Sequence, residues 1–212
     1  MTTIENSNNN KRIAKNSLLL FIRMLFSMAV SLYTTRAILE ILGITDFGIY
    51  NVVGGVIVFF GFLSQTMSTT TSRFITTALG KNNSETLHKT FCMSMNFHIA
   101  IALFTFIIGE SIGLWFVTNK LIIPEDRLIA ALWLYQASVL STCVSILNVP
   151  YNASIIAHEN MGAFAYISIV QVIAKLIIVL VLPYIPADRL IIFSILTVSV
   201  SLIIQLIYWQ YS

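Results

Sequence analysis

The stretch FIRMLFSMAVSLYTTRAILEIL, residues 21–42, is apolar enough to cross a bilayer, yet it carries two arginines, Arg23 and Arg36. A spanning helix needs about 20 predominantly apolar residues. A charge near its centre costs roughly 2.5–3.5 kcal/mol on insertion scales, so such residues face a bundle interior, an aqueous cavity or an ionic partner. What compensates these two cations decides what kind of fold surrounds them.

The rest of the chain makes this a membrane problem. Of 212 residues, 57% are hydrophobic and 10% are charged, and the mean hydropathy is +0.86. An average soluble domain carries roughly 25% charged residues. The net charge of +3 reflects loop lysines and arginines of the kind that set topology and does not imply nucleic acid. Six apolar segments have spanning length, at 18–42, 49–67, 91–117, 128–149, 164–182 and 190–209. The connections GITDFG, GKNNSETLHK, TNKLIIPEDR, AHENMG and PYIPADR carry turn residues and charge. The asparagine-rich segment 1–16 reads as a disordered cytoplasmic tail, and the apolar run after it as an uncleaved first span.

Lys11, Arg12, Lys15, Arg73, Lys81 and Lys89 lie on one side of these spans, against Lys120, Arg127 and Arg189 on the other. The bias predicts that both termini are cytoplasmic, with Trp115 and Trp133 at the outer interface and Trp209 at the inner one. No nucleotide-binding loop, nucleophile elbow or metal-binding histidine motif occurs, so no catalytic residue, metal or cofactor is expected. His88, His98 and His158 are isolated from one another. Cys92 and Cys143 read as packing residues in apolar surroundings.

At about 100° per residue, Asn16, Arg23, Ser27, Ser31 and Thr34 share one stripe of the first span, with Arg36 and Glu40 on the far side. Asn51, Gly54, Gly61, Gln65, Ser68, Thr69, Ser72 and Thr76 line one face of the second. The fourth carries Ser138, Ser141, Thr142, Ser145, Asn148 and Asn152 on one face, the fifth Ser168, Gln171 and Lys175, and the sixth Ser194, Thr197, Ser201, Gln205 and Tyr208. Small and hydroxyl side chains also serve plain helix packing. Amides and cations within so many stripes favour a bundle that encloses a polar cavity.

Individual residues keep two readings. Arg23 either faces that cavity or snorkels to the cytoplasmic interface, and Lys175, deeper in its span, has the same alternatives. Glu110 lies at a depth matching Arg36 and is either its structural partner or a group that takes up a proton or cation. Glu40 competes for Arg36 at helical spacing.

The stretches LGITDFGIYNVVGGVIVFFGFLSQTMSTTTSRFITTALGK, residues 42–81, and NVPYNASIIAHENMGAFAYISIV, residues 148–170, resemble bacterial polysaccharide biosynthesis proteins. These are O-antigen and oligosaccharide flippases of the multidrug/oligosaccharidyl-lipid/polysaccharide exporter superfamily, and the resemblance runs from about residue 16 to the last. It implies an all-α integral membrane protein of the bacterial inner membrane. That protein would move undecaprenyl-pyrophosphate-linked oligosaccharide, an O-antigen or capsule repeat unit, across the membrane by alternating access of two facing lobes. Residues 17–212 then make one six-helix lobe of a protein of about twelve to fourteen helices, with the second lobe as a required partner beside membrane lipid. By position and face Arg23 and Lys175 match the cations that meet the pyrophosphate in such flippases. The polar residues Ser27, Ser31, Asn51, Gln65, Ser68, Ser72, Ser141, Ser145, Asn148, Gln171, Ser201 and Gln205 would line the cavity. The rival readings are an organic-cation exporter of the same superfamily, a non-transporting fragment, and a membrane glycosyltransferase or polymerase. The last would want a longer catalytic loop than this chain offers.

Overall fold

The computed structural model describes the backbone of residues 2–80 and 84–211, and the side chains of 14–55, 67–80 and 84–211. Every element among them is helical, as expected of segments that must satisfy their own backbone hydrogen bonds in hydrocarbon. Five stretches are long and apolar enough to cross a membrane: Ala14–Gly55, Ser84–Asn119, Glu125–Ala157, Met161–Tyr184 and Arg189–Tyr211.

The first helix, α1 (Thr2–Gly80), departs from helical geometry at Gly43, with φ 79° and ψ 173°. That region of backbone space is open essentially to glycine alone. The break reverses the chain. Arg23 of the first arm touches Ser168 near the start of a later helix, and Ile75 of the second arm packs on Ala153 and Ala157 at the end of the helix before it. Asp46 and Ile41, beside the break, meet Arg127 and Arg189 at the opposite end of the bundle. The connection expected over GITDFG is thus a single non-helical residue. Helix also begins at Thr2, through the segment read as a disordered tail, because extending an existing helix costs far less than nucleating one.

Helix α2 (Ser84–Ile108) passes through a π turn, Gly109–Gly113, into α3 (Leu114–Asn119). A short 3-10 turn at Glu125–Arg127 leads into α4 (Leu128–Ala157), which continues through Pro150 past its expected end at 149. Helix α5 (Met161–Val181) starts on an Asn160 cap, whose Oδ1 accepts from the Ala163 N–H at 3.3 Å. Helix α6 (Arg189–Tyr211) completes the bundle. Helix α4 is central, packing against α1, α2, α5 and α6. Its Ala130, Ala131, Ala137 and Ala153 are buried, and such small side chains let neighbouring helices approach closely. The outer surface shows Phe21, Leu25, Met28, Leu32, Leu103 and Phe104, an apolar coat suited to lipid. Trp115 and Trp133 are exposed near the Gly43 end, and Trp209 is exposed at the other.

At the Gly43 end three connections are tied by one side chain. Arg127 donates from Nε to Asp46 Oδ1 at 2.8 Å and from Nη2 to Asp46 Oδ2, and its Nη1 reaches Asp188 Oδ2 at 2.7 Å. Asp188 Oδ1 in turn accepts from the Leu190 and Ile191 N–H groups at 3.0 and 3.3 Å, capping α6. Arg189 Nη1 donates to the Ile41 carbonyl at 2.9 Å, one of the acceptors that the helix break leaves unpaired. Planar bidentate pairing is what a guanidinium supplies and an ammonium does not.

Two substitutions test this end of the bundle. Arg127→Ala leaves Asp46 buried without its cation and should lower stability in detergent by about 3–5 kcal/mol. Gly43→Ala should cost about 1–3 kcal/mol through backbone strain alone. Both are read from thermal unfolding followed by circular dichroism, and an unchanged midpoint in both variants contradicts the assignment.

Candidate functional site

Beneath that ionic clasp the helices line a partly open cavity of about 200 Å³, with Ser31, Thr35 and Lys175 exposed at it. Its polar wall comes from Ser31, Thr34 and Thr35 on the first arm of α1, Tyr50 on the second, Ser138 on α4, Lys175 on α5, and Ser194 and Thr197 on α6. Tyr50 follows Asp46 by four residues and Phe193 follows Asp188 by five, so the cavity starts roughly 6–8 Å below the clasp. Its apolar lining includes Ile38, Leu134, Val179 and Phe193.

Four of the hydroxyl protons of this wall are committed to their own helices, while none is so committed at Ser31, Tyr50 or Ser138. Thr34 donates to the Val30 carbonyl at 2.7 Å, Thr35 to Ser31 at 2.9 Å, Ser194 to Leu190 at 2.6 Å and Thr197 to Phe193 at 2.8 Å. A hydroxyl has one proton and two lone pairs, so what these groups present to the cavity is acceptor capacity. Lys175 is the sole cation of the lining, and it makes no ion pair or hydrogen bond among the described residues. The cavity therefore offers one positive charge among hydroxyls, of which Thr34, Thr35, Ser194 and Thr197 present acceptor capacity.

Arg23 sits elsewhere. Its Nη1 donates to Ser168 Oγ at 3.0 Å, and its guanidinium carbon lies 4.4 Å from the centre of the Phe164 ring, a cation–π contact. Its Nε is buried without a partner. Phe164, Ser168, Gln171 and Lys175 follow one another at spacings of four, three and four along α5, so they share one face. Seven residues separate Ser168 from Lys175, about 10.5 Å of helix. Arg23 and Lys175 thus stand at two points along one stripe, and Arg23 does not line this cavity.

The other polar residues divide. Ser31 lines the cavity, Ser27 and Gln171 are half-buried, and Ser145 is exposed. Ser141 Oγ, Asn148 Oδ1 and Asn152 Oδ1 on α4 and Gln205 Oε1 on α6 are buried without partners, a line of acceptors leading from the cavity towards the other end. Ser201 donates back to the Thr197 carbonyl at 2.9 Å. Asn51 is exposed and donates to the Phe47 carbonyl at 2.8 Å, away from the cavity. Ser68 and Ser72 are half-buried on the second arm, where neighbouring Thr71 meets Ser94 of α2 at 3.5 Å. The Gln65 side chain lies outside the described residues.

Arg36 and Glu110 are not partners. Arg36 Nε bonds Glu40 Oε1 at 2.9 Å on an exposed face of the first arm, the near partner at helical spacing. Glu110 Oε2 instead accepts from Gln136 Nε2 at 3.0 Å. Sequence reasoning missed Tyr135 and Gln136, the residues that hold this region. The Tyr135 hydroxyl donates to the Gly109 carbonyl at 2.6 Å. A Cβ on Gly113 would fall 2.0 Å from that hydroxyl oxygen, so only glycine fits. The signal was present as GESIG, a pair of glycines four apart in an apolar helix. The clasp too had a trace, in the repeated pattern PEDR and PADR at 124–127 and 186–189.

No family model, characterised protein or solved structure matches the chain.

Gly113→Ala should drive the Tyr135 ring out of its seat and lower the yield of folded protein severalfold. Removing the hydroxyl relieves the clash, so the Gly113→Ala/Tyr135→Phe pair should recover part of that loss. Recovery by monodisperse elution in detergent is the readout, and strictly additive losses would show that the two sites do not touch.

Proposed function

We propose that the chain moves lipid-linked oligosaccharide across the bacterial inner membrane. The observation that carries this reading is Lys175, a cation without a carboxylate partner among the described residues, lining a partly open, hydroxyl-walled cavity in a bundle of membrane-length helices. A charge is retained within a span where it meets a substrate or an aqueous path. A phosphate or pyrophosphate group supplies the missing anion, and sugar hydroxyls donate to the lone pairs of Thr34, Thr35, Ser194 and Thr197. Arg23, along the same stripe, is a second station for the anion nearer the other end.

In this reading the two arms of α1 and helices α2, α4, α5 and α6 make six passes, equal to one lobe of an O-antigen or capsule-type flippase. A second six-helix unit faces the cavity and completes it, and the lipid tail stays in the bilayer. The Lys/Arg asymmetry supports cytoplasmic termini. The organic-cation exporter is the weaker alternative, because the cavity lining carries no carboxylate.

The test is export of surface polysaccharide in cells that carry this chain together with its second unit. Lys175→Ala should abolish export at normal membrane level, Lys175→Arg should retain part of it, and Arg23→Ala should reduce it. Wild-type export by Lys175→Ala contradicts the reading.

A further inference from the structure

Away from the ionic clasp at the Gly43 end, Glu110 is the one carboxylate among the described residues that lies inside a span and turns into the bundle. Its Oε2 accepts from Gln136, while its Oε1 is buried and meets no donor. No cation pairs with it among the described residues, since Arg36 is held by Glu40 and Arg127 by Asp46 and Asp188. The nearby Gly109 and Ile107 carbonyls are themselves acceptors and supply Oε1 no donor. A carboxylate with an empty buried oxygen is among the costliest arrangements in a membrane span, and one positive charge at that oxygen completes it.

The backbone around it is built for the purpose. The π turn Gly109–Gly113 inserts one extra residue into α2, and such bulges recur at functional sites because they re-aim side chains. Here the turn is fixed to α4 through Tyr135 and Gln136. On the same turn of α4, Leu134, Ala137 and Ser138 line the cavity. Glu110 therefore stands one helix thickness behind the cavity wall, where its charge state bears on how α2 packs against α4.

We propose that Glu110 is a binding site for one positive charge, a proton or a monovalent metal ion, taken up at Oε1 between the π turn and α4. The titratable groups facing it are Tyr135 and Cys143, both from α4. Between residues 99 and 119 the chain has no other charged side chain and no histidine. The site stands independently of the transported cargo, since it is read by binding rather than by export.

Trp115 lies five residues after Glu110 and Trp133 three before Gln136, so they report on this packing once Trp209 is replaced by phenylalanine. The purified chain in lipid nanodiscs is titrated with sodium chloride against choline chloride at constant ionic strength and pH, then acidified in choline chloride alone. A saturable fluorescence change in at least one arm is expected. A response to sodium identifies a metal ion, and a response to acid alone identifies a proton. Glu110→Gln, which keeps the shape and still accepts from Gln136, should respond in neither arm, whereas Glu40→Gln should respond as wild type. Should Glu110→Gln fail to fold, Glu110→Asp, shorter by one methylene, should move the midpoint roughly tenfold or more in cation concentration. No response in wild type, an equal response in Glu110→Gln, or an unmoved midpoint in Glu110→Asp overturns the assignment.

Discussion

Arg127 is the residue on which the arrangement of the helices depends. The bundle is lined by short and hydroxyl-bearing side chains, and lipid supplies little hydrophobic force to press such helices together. Orientation must then come from directional contacts. One guanidinium gripping Asp46 and Asp188 ties the break in α1 to the entrances of α4 and α6. Each partner sits at a place where the backbone already needs help. Asp46 follows the break at Gly43, and Asp188 caps the first N–H groups of α6. Arg189 adds a donor to the carbonyl end of the first arm. Charge and backbone satisfaction are thus met by the same side chains.

The cavity follows from that closure. Helices gathered at one end by ionic contacts, and kept close by the alanines of α4, leave space one to two turns below, where hydroxyl side chains replace larger apolar ones. Because Thr34, Thr35, Ser194 and Thr197 bond back to their own helices, these four present acceptors to the cavity. Lys175 supplies the single compensating donor charge. Arg23 stands outside that cavity, where Ser168 and the Phe164 ring meet it and its Nε is left without a partner. Of the two arginines in residues 21–42, one is held by a neighbouring helix and the other by Glu40 of its own.

Much of this was legible in the sequence. Membrane-length helices follow from the apolar runs, and the polar faces of the first, fourth, fifth and sixth segments follow from a period of 3.6 residues. Ser31, Thr34, Ser138, Lys175, Ser194 and Thr197 meet as that period suggests. What the sequence hid depends on distance across the fold. Asp46 and Arg127 are 81 residues apart, and Arg127 and Asp188 are 61 apart, so each reads locally as an ordinary loop charge. Arg36 and Glu110 matched in depth, but depth says nothing of azimuth, and a partner four residues away won. The π turn leaves no periodic trace, since it shifts the register of α2 only between Gly109 and Gly113.

The central claim is a hydroxyl-walled cavity accessible from water within a bundle of membrane-length helices, and aqueous reactivity tests it most directly. With Cys92 and Cys143 replaced by alanine, single cysteines at Thr34 and Ser138, inside the cavity, are compared with cysteines at Leu32 and Leu140, on the exposed apolar surface. The protein is reconstituted in liposomes and treated with a small charged methanethiosulfonate. The account predicts rapid modification at 34 and 138 and slow modification at 32 and 140. Unreactive cavity positions, or surface positions that react as fast, would contradict it.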